Sequence, residues 1–404
     1  MLESLFTALE VPVAKKQKTA RLGRYEGVQR KLVADTTDLY REFVDINVPV
    51  LPISRFNFID LFCGAGGMTQ GMKQAGFTPI ASVEINPFAS QTHVNNFPEC
   101  RHYSGDIEAF DPKEWLKDNG SPEVHLVVGG PPCQGFSVAG RRDPNDIRNR
   151  LFRQFVRIVS ELKPWYFVME NVPGILTMQK GAVKEAILEA FAEVGYPNTS
   201  IAVLEAAAYG IPQLRARAIF IANRFGLSNP YPMPQLTPSE YRPIESVISD
   251  LPAFEPIPEI NHEWTRHSAA YMERIAQVPP GGSLYPTFLD AFKRQYPGMP
   301  SMTIKENHGG THIHPHLNRV ISAREMARLQ TFPDSFLFAG PMKKAMWQIG
   351  NAVPPRLAEA IGQALTPSLN AQAAHGDEAS HLYTTANRRH KASQLALIRE
   401  RNTV

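Results

Sequence analysis

Apolar residues occur along the first half of the chain in short continuous runs, and each run ends in a turn rich in glycine, proline or carboxylates. Such runs lie within residues 56–61, 79–84, 124–128 and 165–172. Continuous apolar runs of this length are typical of strands buried on both faces of a sheet. A helical repeat lies between the last two runs, at Phe155, Ile158, Val159 and Leu162. The pattern predicts an α/β fold, with turns at the strand ends available for ligands.

The third run leads into a rigid turn that presents one cysteine. Gly129–Pro132 end the apolar run, because the two prolines fix the backbone and the glycines permit close approach. Cys133 should therefore lie at the carboxyl end of its strand, where open α/β sheets bind ligands. A nucleophile and a buried structural thiol fit this local pattern about equally well.

The first run leads into a glycine turn that indicates a small-ligand loop. The glycines of residues 64–67 resemble a dinucleotide fingerprint, but Thr69 stands where the third glycine is required, which weakens an NAD assignment. Glu84 ends the second strand and is placed to accept hydrogen bonds from ribose hydroxyls. Asp106 follows a third predicted strand, where it could accept from an exocyclic amine or serve only as a turn aspartate.

Further polar residues are predicted near the same cleft. Glu170 follows an apolar strand as Cys133 does, so an acid and a nucleophile could face each other. Arg215 and Arg217 lie two apart in an extended, alternating segment, which should send both guanidiniums to one face. Residues 141–150 carry four arginines and little apolar content, which predicts a mobile lid facing phosphate.

Composition narrows the class of protein. With 404 residues, 43% of them hydrophobic, the chain is long enough for two domains. No apolar run reaches the roughly 18 residues that span a bilayer, and the N-terminus lacks the order of a signal peptide, so we expect a cytoplasmic enzyme. Cys63, Cys100 and Cys133 are odd in number and widely spaced, which favours reduced thiols. The net charge of +3 is too small to indicate nucleic acid by itself. A basic cluster within residues 1–55 could touch DNA, although such clusters are more often solvated.

Six motifs, in chain order, resemble the motif set of the DNA (cytosine-5) methyltransferases of bacterial restriction-modification systems: DLFCGAGG, GGPPCQGFS, ENV, QLRAR, REMARLQTFPDSF and QIGNAVPP. The resemblance implies a Rossmann-like S-adenosylmethionine-dependent methyltransferase sheet with helices on both faces, plus a smaller, irregular target-recognition domain. It implies a catalytic domain in two parts (56–223 and 322–368) and a target-recognition domain (224–321). Composition indicates an N-terminal extension (1–55) and, at the other end, a tail or an added helix (369–404).

The resemblance also implies S-adenosylmethionine in place of NAD. The implied cofactor-binding residues are Phe62, Ala65, Gly66, Gly67, Glu84, Ile85, Asp106, Ile107, Pro132, Asn351 and Val353. Cys133 is carried over as the nucleophile that adds to cytosine C6. Glu170 would hydrogen-bond N3, Arg215 would grip the carbonyl oxygen, and Arg217 would lie beside them. The cytosine should be flipped out of the duplex, with the loop at residues 141–150 closing over it.

The predicted target-recognition segment is rich in proline and offers cations for DNA. Candidate contacts are Arg242, Arg266, Lys293, Arg294 and Lys305. Four histidines, at 308, 312, 314 and 316, suggest zinc, but without a nearby cysteine or an HExxH helix we predict no metal and favour turn and DNA-backbone roles. Beyond this segment, Ser322 and Glu325 predict a capping box for a helix that packs Met326 and Leu329 inward.

The expected partner is double-stranded DNA, which the protein is expected to bind as a monomer. A cognate restriction endonuclease would act on the same DNA site. Three other functions were weighed. A transfer-RNA cytosine-5 methyltransferase shares the motifs, but the long insertion at 224–321 favours duplex DNA. A non-catalytic DNA-binding relative would be expected to lack Cys133, Glu170 or Arg215. A nicotinamide oxidoreductase is disfavoured by Thr69 and by the absence of a separate hydride-site signal.

Overall fold

A computed structural model describes residues 56–132, 147–285, 292–305 and 312–375. The described chain contains a seven-stranded sheet in the order β3-β2-β1-β4-β5-β7-β6, in which β7 runs antiparallel to both neighbours and the other pairs are parallel. The strands are β1 Asn57–Leu61, β2 Thr78–Glu84, β3 Arg101–Ser104, β4 Leu126–Gly129, β5 Tyr166–Asn171, β6 Ser200–Glu205 and β7 Ala216–Asn223. The chain order reverses between β1 and β4, and their carboxyl ends form the crevice where such sheets bind ligands. The α/β prediction is confirmed.

Helices cover both faces of this sheet. They are α1 Gly67–Gln74, α2 Pro87–Asn96, α3 Pro112–Asp118, α4 Ile147–Leu162, α5 Ala182–Glu193, α6 Glu245–Ile248, α7 Ala269–Ala276, α8 Ala323–Leu329, α9 Met342–Asn351 and α10 Pro355–His375. Alternate residues of one strand enter opposite cores: Phe58 packs with α1 and α10, whereas Ile59 packs with α4 and α5. The central strands are thus apolar throughout because both of their faces are buried.

Residues 224–321 are irregular, as predicted for this segment. Besides α6 and α7, the described part holds a two-stranded ladder of β8 Lys293–Arg294 and β9 His312–Ile313. This segment is not isolated from the next, because Ile244, Val247 and Ile304 share a hydrophobic cluster with α8 and α9. The boundaries proposed for a separate domain remain a prediction.

The helix after residue 321 has the predicted start. Ser322 Oγ accepts from Glu325 N at 3.0 Å, and Glu325 Oε2 accepts from Ser322 N at 2.6 Å, which confirms the capping box. Met326 and Leu329 are buried as expected.

The first residues of the segment predicted as a tail or an added helix are helical. Helix α10 continues past residue 368 to His375, and Leu369 is fully buried in the core. The predicted N-terminal extension and the rest of the tail lie outside the described residues. Within the described ranges, no helix is both long enough and apolar enough to cross a membrane.

Candidate active site

The glycine loop after β1 is shaped by close backbone contacts. Phe62 has φ 58° and Gly66 has φ 97°, so the loop turns through left-handed conformations before α1 begins. A side chain at Gly67 would overlap the carbonyl oxygen of Val353. The loop therefore packs directly on the segment that follows α9, and candidate cofactor residues that are far apart in sequence lie together. One of them, Ala65, is buried.

Glu84 closes this loop from the end of β2. Its Oε2 accepts from Gly64 N at 2.9 Å, and its Oε1 accepts from Asn86 N at 2.8 Å. Burial raises the pKa of the Glu84 carboxyl group, against the effect of these backbone bonds. Beside it, Ile85 is 66% exposed. A fixed carboxylate next to an exposed apolar side chain is suited to a nucleoside, whose sugar is polar and whose base is flat and apolar on its faces.

The other predicted cofactor residues have different surroundings. Asp106 is exposed, and its Oδ1 accepts from Glu108 N at 3.0 Å as the cap of a short 3₁₀ turn, which matches the turn-aspartate alternative. Ile107 is buried in the core with Phe110, so contact with a ligand ring stays a prediction. Asn351 and Pro132 are exposed.

A buried chain of polar groups beneath the glycine loop was not predicted. Thr69 Oγ1 donates to Asp60 Oδ2 at 2.6 Å and lies 3.0 Å from His93 Nε2. Ser82 Oγ lies 3.3 Å from His93 Nδ1 and 2.8 Å from His102 Nδ1. Burial raises the pKa of Asp60 to about 7 and lowers that of His93 to about 3, so both groups favour their neutral forms. The only sequence signal was the presence of polar residues within apolar strands.

Two of the three cysteines, Cys63 and Cys100, are buried free thiols. Burial raises the pKa of the Cys63 thiol well above its usual range and that of Cys100 to about 12, so both are inert thiols. The side-chain donor atoms of Cys63, His93 and His102 lie within 4.8 Å of one another, but both ring nitrogens of His93 already lie within hydrogen-bond distance of hydroxyls. Cys133 lies outside the described residues, as does most of the predicted lid.

The turn leading towards Cys133 is fixed beside Glu170. Asn171 Nδ2 donates to Pro131 O at 3.0 Å, which ties the ends of β5 and β4 together. A side chain at Gly130 would lie 3.1 Å from Glu170 Oε2. Arg217 Nε lies 2.7 Å from Glu170 Oε1, and the two side chains are only 11% and 13% exposed. Glu170 and Arg217 therefore form a nearly dry ion pair next to the turn.

Arg215 has different hydrogen-bond partners from those of Arg217. Strand β7 begins at Ala216, so the alternating pattern does not extend to Arg215. Arg215 is 2% exposed, and its Nη groups donate to the backbone carbonyls of Ile304, Gly350 and Ala352. Its Nε is buried and has no hydrogen-bond partner among the described residues, so the predicted contact of Arg215 with the base stays a prediction.

The candidate DNA contacts differ in their exposure to solvent. Arg266 is exposed, whereas Arg294 is buried and donates to the carbonyls of Ile275, Val278, His314 and Leu317. Arg294 therefore holds loops together and is unsuited to direct DNA contact. Lys293 and Lys305 are partly exposed. Arg242 is half-buried, and its pKa is lowered mainly by desolvation and further by the positive charge of Arg356.

The histidines of the HGGTHIHPH segment serve the local fold where they are described. Gln295 Nε2 lies 2.9 Å from His312 Nδ1, and His314 Nδ1 accepts from His316 N and Leu317 N. His316 Nε2 lies 2.9 Å from Glu245 Oε1. Burial lowers the pKa of both His312 and His314 to about 4, and His308 lies outside the described residues. These contacts agree with the predicted turn role.

Known proteins match most of the chain. The family model for the C-5 cytosine-specific DNA methylases matches residues 56–366. The type II methyltransferase M1.HphI of Haemophilus parahaemolyticus is 39% identical over 76% of this chain and 86% of its own length. M.DdeI of Desulfomicrobium norvegicum, also a type II methyltransferase, is 37% identical over 77% of this chain and 88% of its own.

Solved structures share the fold as well. An E. coli protein described as a DNA modification methyltransferase encoded within a prophage has a TM-score of 0.66 and 29% sequence identity, over 78% of this chain and 99% of that one. The sheet is therefore that of the S-adenosylmethionine-dependent methyltransferases. The family match, the relatives and the acid–arginine pair beside the GGPP turn lead to one conclusion: the chain belongs to the C-5 cytosine-specific DNA methylase family and is a DNA (cytosine-5) methyltransferase.

Proposed function

We propose that this enzyme methylates C5 of a cytosine flipped out of a specific duplex sequence, with S-adenosylmethionine as methyl donor and a covalent adduct between Cys133 and C6. The observation that supports it most is the Glu170–Arg217 pair, held beside Gly130 at the end of the strand that leads to Cys133. An acid fixed next to a nucleophile is what addition to a cytosine ring requires.

The cofactor would lie in the crevice above β1 and β2. When bound, it supplies an electrophilic methyl group. Glu84 is fixed by two backbone amides and would accept from the ribose hydroxyls with its remaining lone pairs. Exposed Ile85 would cover one face of the base, and Asp106 has an oxygen beyond its turn bond for an exocyclic amine. Phe62, the loop of residues 64–67, Asn351 and Val353 would enclose the rest.

The protein supplies the chemistry at the base. Cytosine C5 is a poor nucleophile, so the Cys133 thiolate would first form a bond to C6 and displace an electron pair towards C5. C5 would then take the methyl group that the cofactor supplies, and S-adenosylhomocysteine would leave. Glu170 would hydrogen-bond N3 and stabilise the adduct, and Arg217 fixes the Glu170 carboxyl group from 2.7 Å. Arg217 is also the better candidate for the base carbonyl, because Arg215 donates to the backbone. Loss of the C5 proton then expels Cys133.

The base must leave the duplex for this reaction. The face of a stacked cytosine is covered by its neighbours, so the thiolate cannot reach C6 until the base is flipped out. We propose that residues 224–321 read the surrounding sequence, that the loop at 141–150 closes over the base, and that the protein acts as a monomer alongside a cognate restriction endonuclease. The names of the type II relatives support this setting. The transfer-RNA alternative is disfavoured by the same relatives.

A mechanism-based trap tests the proposal. Fluorine at C5 permits thiolate addition and methyl transfer but removes the proton whose loss releases the enzyme. The wild type should stall as a protein–DNA complex on a denaturing gel, only with S-adenosylmethionine present, on a duplex whose site has been mapped by bisulfite sequencing. Cys133→Ala should give no complex, and Glu170→Gln should form it slowly.

Two results would overturn the adduct. One is a persistent complex in Cys133→Ala. The other is an active wild type that never stalls on the fluorinated duplex. Circular dichroism on all three proteins excludes unfolding as the cause of either result.

A further inference from the structure

Helix α7 and the β8–β9 ladder form a small unit within the predicted target-recognition segment. Its hydrophobic cluster consists of Ile275, Val278 and Ile313, which are buried together, with Tyr271 and Leu284 packed against them. The catalytic sheet and helices α8 and α9 bury their apolar residues in other clusters. We call α7, β8 and β9 the α7 unit, because their apolar residues share this separate cluster.

A buried arginine fixes α7 on the ladder. Arg294, in β8, donates from Nη2 to Ile275 O at 2.8 Å and from Nε to Val278 O at 2.7 Å, at the C-terminal end of α7. Its Nη1 donates to His314 O at 2.9 Å, just after β9. One buried side chain therefore ties the three elements of the α7 unit together and fixes the orientation of α7.

The α7 unit is attached to the segment that carries part of the candidate active site. The chain that follows β8 reaches Ser301, whose N donates to Pro212 O at 2.9 Å and whose O accepts from Leu214 N at 2.9 Å. Arg217, the partner of Glu170, lies in the same segment as Pro212 and Leu214. The α7 unit is thus joined directly to the segment that enters β7 beside Glu170.

Helix α7 presents one exposed arginine between two aromatic rings. Arg274 Cζ lies 5.5 Å from the ring centroid of Tyr271 and 5.4 Å from that of Tyr285. The stack continues on both sides, because the His267 ring lies 4.3 Å from Tyr271 and the Phe292 ring lies 5.1 Å from Tyr285. A cation within about 6 Å of a ring centroid is attracted by the ring, so two rings hold the guanidinium of Arg274 in one orientation.

The hydrogen-bond donors of Arg274 are available to a ligand. Among the described residues, no carboxylate forms an ion pair with Arg274 and no acceptor takes its N–H groups. An exposed arginine normally loses side-chain freedom when it binds, and this cost opposes binding. The two rings have already removed much of that freedom, so Arg274 is preorganised for a directional contact.

The charge on α7 favours a base edge over a phosphate as the ligand of Arg274. A surface that follows the DNA backbone carries several cations, because each neutralised phosphate needs one. The charged residues of α7 are Glu273 and Arg274, both exposed, so the helix has no net charge. The planar fork of an arginine matches the O6 and N7 acceptors of guanine in the major groove, which is wide enough for an α-helix.

We propose that Arg274 reads one guanine of the recognition sequence through the major groove, and that Tyr271 and Tyr285 are positioning residues that hold its guanidinium. The inference rests on the proposed function, since it names a residue that performs the sequence reading proposed for residues 224–321. The buried contacts of Arg294 support it further, because they fix the helix from which Arg274 projects.

Substitution of single atoms in the DNA tests the proposal. Each guanine of the mapped duplex is replaced in turn by 7-deazaguanine, which keeps base pairing but lacks the N7 acceptor, and kcat/KM for methyl transfer is measured. At one guanine the wild type should lose at least about fivefold, the lower end for an arginine–guanine contact. Arg274→Ala should lose less than about twofold at that guanine and keep the wild-type sensitivity at the others.

Two kinds of control separate reading from general effects. Tyr285→Phe keeps the ring and should keep the wild-type sensitivity, whereas Tyr285→Leu should reduce it to between about two- and fivefold. Arg101→Ala removes the same charge from an exposed arginine at the start of β3, the end of the strand opposite the crevice. Its kcat/KM should stay within about twofold of the wild type on every duplex.

The salt dependence of binding identifies a phosphate contact. If Arg274→Ala binds the mapped duplex and unrelated duplexes more weakly by the same factor, and the slope of log K against log salt falls by about 0.9, Arg274 binds phosphate and the reading role is overturned. A wild type insensitive to 7-deazaguanine at every position, or an Arg274→Ala with unchanged sensitivity, also overturns it. Full sensitivity in Tyr285→Leu refutes the positioning role. A folded wild type that methylates no duplex at cytosine C5 refutes the proposed function instead.

Discussion

The Glu170–Arg217 pair gives a prediction whose magnitude follows from its geometry. Arg217→Ala removes a charged partner 2.7 Å from Glu170 in a nearly dry site. A hydrogen bond to a charged group contributes about 1.5–3 kcal/mol. At about 1.4 kcal/mol per factor of ten, the rate of methyl transfer should fall about 10- to 150-fold. Glu170→Gln should lower it about 10²- to 10⁴-fold, the range for a lost general acid.

The double variant shows whether the two side chains act as a unit. Contacting residues have interaction energies of about 0.5–3 kcal/mol, so the effects of Arg217→Ala and Glu170→Gln should not multiply. The rate of the double variant should therefore exceed, by at least about twofold, the rate calculated by multiplying the two single effects. Single-turnover transfer of labelled methyl groups into the mapped duplex measures this without interference from product release.

The control is Lys184→Ala, which also removes a cation from an ion pair, with Glu185, but on helix α5. Its rate should stay within about twofold of the wild type, as expected for a surface pair. If the penalties of Arg217→Ala and Glu170→Gln multiply within about twofold, Arg217 does not act through Glu170, and the catalytic role assigned to this pair is refuted.

Three further predictions concern the cofactor loop. Burial raises the pKa of Asp60 from 3.8 to about 7, so between these pH values the folded state keeps a proton that the unfolded state releases. In urea unfolding between pH 4 and 7, the free energy of unfolding of the wild type should fall by about 1.4 kcal/mol per pH unit relative to that of Asp60→Asn. Parallel pH dependences of the two proteins would contradict this. Gly67→Ala should weaken cofactor binding about 5- to 150-fold in calorimetric titration, because the added methyl group overlaps Val353 O and overpacking costs about 1–3 kcal/mol. Equal affinity would show that the loop can shift freely. Glu84→Ala should weaken it by about 1–3 kcal/mol, and an unchanged dissociation constant in a folded variant would place the nucleoside elsewhere.

The strands were predictable because their signal is local. Residues 126–128 and 166–169 are apolar without interruption, since alternate residues enter two different cores. Their short length and the glycine or proline residues nearby distinguish these runs from buried helix segments. The capping box was predictable for the same reason, as both of its partners lie within four residues. The continuation of helix α10 beyond residue 368 was not predicted, because it depends on the burial of Leu369 against a core built from distant strands.

The backbone partners of Arg215 were not predicted because the information that places this residue is not local. Its partners Ile304 and Ala352 lie 89 and 137 residues further along the chain. A two-residue repeat can predict a shared face only inside a strand, and β7 begins one residue too late. The Asp60–Thr69–His93 chain was missed for a related reason, since His93 reaches Thr69 from a different helix.

The cleft is therefore held together at joints between backbone segments that are far apart in sequence. Gly67 meets Val353 O, Asn171 binds Pro131 O, and Arg215 binds the carbonyls around Asn351. Each joint involves a backbone carbonyl oxygen, which packs against Gly67 in the first case and accepts hydrogen bonds in the other two. The position of such an oxygen depends on the path of the chain and not on the identity of the side chain there. The enzyme can consequently tolerate side-chain changes at the acceptor positions more readily than at Gly67, Asn171 or Arg215, where the glycine or the donor is itself the joint.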